Sequence, residues 1–193
     1  MEEFSGRSIS PPVNPPSSNQ TATAARSSRA RSIGAWLALS VLLLPATGFA
    51  ACTDQAAPRV DWRRCLHDQR DLRGVDLTEA HLRDASFSRA QLNGARMARA
   101  DAVDARFVSA DLAGADFTLA ILREADLTRA TLRGATLVRA DLRRARLFRA
   151  DLREADLTDA NLAGADLSGA LLDGARWIDG ARICAVGSVG GCQ

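Results

Sequence analysis

Four cysteines, at 52, 65, 184 and 192, and two histidines, at 67 and 81, are the residues of this 193-residue chain best equipped for chemistry. A metal centre would need them close together. Cys52 and Cys65 instead flank one end of a long regular stretch, Cys184 and Cys192 flank the other, and no His lies beside the second pair. An even count in two local pairs fits two disulfides, Cys52–Cys65 and Cys184–Cys192, formed in an oxidising compartment. His67 and His81 are 14 residues apart and form no ligand cluster with either pair. Acids are numerous, but ten of the 18 within residues 71–180 recur at one position of a repeat, which reads as a solvated row. The chain has no Gly-rich phosphate loop, no Ser elbow and no zinc motif. No catalytic, cofactor-binding or metal-binding residue is therefore assigned.

Disulfides imply export, and the N-terminal quarter supplies the means. Residues 1–32 are rich in Ser, Pro, Thr, Ala and Arg without apolar periodicity, the composition of a disordered leader. Arg29 and Arg31 then precede an apolar run from Ile33 to Leu44, broken by Pro45 and closed by Gly48-Phe-Ala50. A positive flank, a short apolar stretch and small residues at the end make 33–50 a signal peptide, with cleavage expected after Ala50. The mature chain would begin at Ala51 and be periplasmic or secreted. The length of the leader points to a natural start downstream of Met1. An uncleaved anchor needs about 20 unbroken apolar residues, more than this run offers. A third reading is lipidation, since Phe49-Ala-Ala-Cys52 is similar to a lipobox with Phe where Leu is usual. Acylating Cys52 would leave Cys65 without its partner.

All 25 basic residues are Arg, and Tyr is absent. From Ala51 onward 21 Arg balance 21 acids, so no net charge draws the mature chain to nucleic acid. Aromatic residues make up only 5%, too few for a conventional globular core of this length. The alternative is a repetitive fold with a thin core.

The repeat is explicit. Ala stands at every fifth position from 80 to 175, and a larger apolar residue follows two positions later. From Leu72 to Trp177 there are 22 such centres, and only Ala102 departs from Leu, Phe, Met or Trp. The residue before the centre is Asp or Asn in 11 of the 22. Ala, Leu and Arg favour helix, but at about 100° per residue a five-residue repeat would spiral its apolar residues round every face. In extended backbone, residues two apart point the same way. Ala and Leu then face inward together while the other three face out. Gly two positions after the centre, at 74, 94, 114, 134 and 174 with Glu154 the exception, marks a 20-residue period and suggests one corner with a distinct, tighter turn. Trp62 and His67 keep the register with atypical residues and read as the start of a lid.

Units such as Ala110-Asp-Leu-Ala-Gly and Ala165-Asp-Leu-Ser-Gly resemble those of pentapeptide-repeat proteins over about residues 60–180. The resemblance implies an all-β fold, a right-handed quadrilateral parallel β-helix of about five and a half coils. It divides the chain into an N-terminal cap at 51–70, a repeat body at 71–180 and a C-terminal cap at 181–193. It also implies no enzyme, because a filled prism lacks the concave pocket catalysis needs. The best-known members protect DNA gyrase by resembling DNA, and topoisomerase protection through DNA mimicry is the alternative function. That role needs a strongly acidic rod, whereas residues 71–180 carry 18 acids against 16 Arg.

Wrapping the chain on four sides leaves one surface uneven. The side centred on Phe87, Phe107, Leu127, Leu147 and Leu167 displays Arg89, Arg106, Arg129, Arg146 and Arg149 around an outward Phe148. These six are the candidate contact face, unless their Arg residues are neutralised by Asp126 and Asp166. The function expected is a non-catalytic exported scaffold or interaction module of the bacterial envelope. Its partner would be an unknown protein or an anionic envelope component, with no nucleic acid and no membrane span in the mature chain.

Overall fold

The computed structural model describes residues 52–193. The leader, the signal segment and the cleavage site after Ala50 lie outside the described residues. No helix forms among them, despite the Ala, Leu and Arg. Every fifth residue from Asp61 makes a single parallel bridge to the residue twenty further on. The ladder runs from Asp61 with His81 through Leu66 with Ser86, Asp71 with Gln91 and Asp76 with Arg96 up to Asp156 with Arg176. Four bridged positions per 20 residues give four sides, each only a few residues long and separated by a two-residue turn.

One unit shows how the backbone is satisfied. Asp111 donates its N–H to the Ala90 carbonyl of the preceding coil at 2.9 Å, while Leu112 and Gly114 donate to Thr131 and Arg133 of the next at 2.7 and 2.9 Å. Ala115 closes the corner on the Leu112 carbonyl at 3.0 Å. The remaining amide, that of Ala113, has no main-chain partner and donates to the Asp111 carboxylate at 3.1 Å. The same bond recurs from Thr78 to Asp76, Thr118 to Asp116, Thr128 to Asp126 and Ala163 to Asn161. The repeat's preference for Asp or Asn before the centre thus has a cause. A short carboxylate or amide completes the turn that the coils leave open.

The corners overturn one expectation. Seventeen non-Gly residues hold φ between 54° and 62°, as Glu79, Asp84, Arg89 and Arg139 do, and Gly164 and Gly169 occupy two further corners. All four edges therefore turn alike. The Gly column marks residue tolerance and not a special edge. Left-handed backbone costs a non-Gly residue about 1–2 kcal/mol, offset here by the inter-coil bonds that each corner makes.

Inside, the Ala and Leu rows are buried throughout, from Leu77 and Ala80 to Leu172 and Ala175, apart from Leu162, Ala165 and Leu167 near the C-terminal end. Phe117 packs edge-on to Phe107, with centroids 6.1 Å apart at 84°. Trp62 and His67 form no lid. Both are fully buried and continue the core columns, and His67 stacks on Phe87 at 5.3 Å. At the other end the chain reverses. Ile183 and Val189 pair antiparallel with Arg176 and Leu171, and the carbonyls of Cys184 and Ser188 accept the N–H groups of Gly174 and Leu172. A reversed strand cannot template another coil, so it ends the solenoid and covers its open edge.

Candidate functional site

Both expected disulfides form, Cys52 to Cys65 and Cys184 to Cys192, one at each end of the ladder. Every described cysteine is consumed in them. His67 lies wholly inside the first coil, where Arg70 donates to its Nδ1 at 3.0 Å. Burial and the adjacent guanidinium push its pKa down to about 4. His81 is an outward bridged residue. Among the described residues no three of His, Cys, Asp or Glu are placed to share a metal ion.

The arginines divide sharply. From Arg59 onward there are 21, and sixteen stand within 4.0 Å of a carboxylate. Two geometries account for most pairs. In one, Asp before the centre clamps Arg after it with both oxygens, as Asp71 does Arg73 at 2.8 and 2.6 Å and Asp151 does Arg153 at 2.7 and 2.5 Å. In the other, acid and Arg stand one coil apart in the same column, as Glu79 and Arg59 do at 2.7 Å. Five arginines lack a carboxylate partner among the described residues. Arg70 is the one bonded to His67, and the other four, Arg89, Arg106, Arg129 and Arg149, share one side.

That side is the candidate contact face, and its neutralisation is partial. Arg146 stands 3.8 Å from Asp126. The same carboxylate also accepts the Thr128 amide at 3.0 Å. Asp166 accepts the Ser168 amide, and that serine holds its carboxyl below the usual range. Asp68 accepts from Ser86 Oγ at 2.5 Å and from the Ser88 amide at 2.9 Å. The three acids of this side thus face Arg146 and local amide and hydroxyl donors, and four guanidiniums stand without a carboxylate partner among the described residues. Arg149 lies over the exposed Phe148 ring, 5.2 Å from its centroid. An open groove of about 420 Å³ follows the side, with Arg89, Arg106 and Arg129 around it and Asp68, Val108, Thr128 and Phe148 in its lining. A second hollow of about 410 Å³ lies by Arg123, Arg143 and Arg144. There all three cations are paired, with Asp141 or Glu124.

The sequence pattern points to six residues for this face without separating free from paired. For three of the four free arginines the signal lay in the columns, whereas Arg106 has Asp126 one coil on and stays unpaired. One coil before or after Arg89, Arg129 and Arg149 stand Gln69, Ser109 and Gly169, or another of these arginines, and no acid.

The family model for a pentapeptide repeat region matches residues 60–137, and that for eight copies of the pentapeptide repeat matches 140–176. The chain belongs to the pentapeptide-repeat family. Members of this family carry the right-handed quadrilateral β-helix, and they are generally non-catalytic. Among solved pentapeptide-repeat structures, HetL of Nostoc sp. strain PCC 7120, involved in heterocyst differentiation regulation, is 30% identical. The match covers 63% of this chain and 67% of HetL, with a TM-score of 0.44. Rfr23 from Cyanothece 51142 is 25% identical over 54% of this chain and 85% of its own, with a TM-score of 0.48. A thylakoid-lumen member from Arabidopsis thaliana is 27% identical over 63% of this chain and 83% of its own, with a TM-score of 0.39. No curated protein matches the chain.

Proposed function

We propose that this pentapeptide-repeat protein is a non-catalytic, exported interaction module of the bacterial envelope. In this reading a rod of about five and a half coils engages an anionic partner through the side bearing Arg89, Arg106, Arg129 and Arg149. The observation that carries it is the clustering of the unpaired arginines. Sixteen of 21 are paired wherever they fall, while four of the remaining five share one side, three of them around a groove. A merely solvated face would spread its free cations. Two terminal disulfides support export, because such bonds persist in oxidising compartments. No helix among the described residues is long and apolar enough to cross a membrane. DNA mimicry fits less well, since a duplex mimic must present acid where this side presents guanidinium.

The test is retention of the mature chain on an anionic matrix, after its non-reducing mass has been measured. The expected mass starts at Ala51 with no free thiol, and retention is expected at low salt and weaker at physiological salt. No retention at low salt would overturn the contact surface. A diacylglyceryl group on Cys52 would replace free export with lipid attachment.

A further inference from the structure

We propose that the groove on the basic side holds a linear acidic polysaccharide, laid along the solenoid axis with its carboxylate or sulfate groups on the unpaired arginines. The inference rests on the reading of this side as the contact surface, and goes further by naming what the surface takes. Its first support is the spacing of charge. Consecutive bridges from Ser86 to Arg106, Asp126 and Arg146 set adjacent coils one strand spacing apart, about 4.8 Å. Arg89 and Arg129 lie two coils apart on one rim, about 10 Å, with Arg149 one coil further on, and the unpaired Arg106 faces them from the other rim. A single phosphate would call for cations converging on a point. Charge repeating along a rim calls for a polymer whose own charge repeats.

The floor supplies the second support. Between the rims run Ser88, Val108, Thr128 and Phe148, hydroxyl alternating with apolar side chain, and the first three are half-buried. The hydroxyls of Ser109 and Thr128 make no hydrogen bond among the described residues, so both are free for a ligand. A sugar chain matches this alternation, with ring C–H faces for Val108 and Phe148, hydroxyls for Ser and Thr, and acid groups at the edges for Arg forks.

The main chain argues against an acidic peptide. Strand addition draws its affinity from free backbone groups. Here the Arg89, Ser109 and Arg129 amides already donate to the Val108, Thr128 and Phe148 carbonyls, each at 2.9 Å. A lipid surface would meet the rims and gain nothing from the floor.

Titration calorimetry of the full mature chain with a length series of oligouronates and heparin oligomers tests the proposal, with anionic phospholipid vesicles and polyglutamate as parallel arms. Affinity should rise with oligosaccharide length until the groove is spanned and then level off. Arg129→Ser with Arg149→Ser should weaken it about tenfold, and Phe148→Ala several-fold, at unchanged melting temperature. Length-independent binding, or an unaffected Phe148→Ala, would overturn the polysaccharide assignment. So would binding of vesicles or polyglutamate in place of glycan, but the contact side would then stand if the arginine pair still mattered. Binding to none of these anions would overturn both.

Discussion

The rings of Phe87 and Phe107 face one another across a single coil, with centroids 5.2 Å apart and planes 7° from parallel. They continue a column that His67 begins, with the Trp62 ring 4.0 Å from His67 in the same coil, and Phe117 meets Phe107 edge-on. In a core made mostly of Leu and Ala these rings are among the largest buried side chains. Phe107→Ala should cost about 3–5 kcal/mol, read from the denaturant midpoint. Phe117→Arg should prevent folding, because the side chain is fully buried and its charge would have no partner. Thr118→Arg should be tolerated, since it recreates over Asp116 the clamp that Asp71 makes with Arg73. Equal loss in the two arginine variants would mean that the inward and outward rows are misassigned.

His67 makes stability depend on pH in a window above the carboxylates. Burial first, and Arg70 second, lower its pKa to about 4, while Asp68 nearby acts in the opposite sense. In the unfolded chain it titrates near 6.5. Between those values the unfolded state binds the extra proton, so the His67 contribution to stability falls as pH drops from about 6.5 to about 4 and changes no further below that. The loss is on the order of 3 kcal/mol. His67→Leu, which restores the repeat residue, should flatten this part of the curve. An unchanged slope between pH 6.5 and 4 in that variant would assign the effect elsewhere.

Reduction should loosen the ends before the middle. Cys184 and Cys192 close a loop eight residues apart in sequence, and in the chain-entropy description opening such a loop costs about 2–3 kcal/mol. The amides of Leu172 and Gly174 should then exchange faster, because they donate to Ser188 and Cys184 of the reversed segment. The Leu112 amide, bonded to Thr131 in mid-rod, should keep its protection. Uniform acceleration along the ladder would contradict an independent cap.

What the sequence made legible is what the repeat imposes. The spacing of Ala80, Leu82, Ala85 and Phe87 requires extended backbone turning every five residues, and the cysteine positions at the two ends of the repeat favour local pairs. Three features escaped. The role of Asp111 depends on knowing that the Ala113 amide has no main-chain partner, which no periodicity reveals. The reversal that pairs Leu171 with Val189 is set by a single irregular turn, outvoted by twenty regular ones in any pattern reading. The difference between Arg146 and Arg129 required comparing residues twenty apart, where one has Asp126 and the other only Ser109 and Arg149.

The central claim is that one side of the solenoid, and not its overall charge, makes the contact. Two double variants of equal charge change separate these possibilities. Arg129→Glu with Arg149→Glu alters free guanidiniums on the proposed side, and Arg73→Glu with Arg153→Glu alters clamped ones on another. The measurement is the salt concentration that elutes each folded variant from an anionic matrix. The account predicts a large drop for the first pair and elution close to the unaltered protein for the second. Equal drops for both pairs would contradict it.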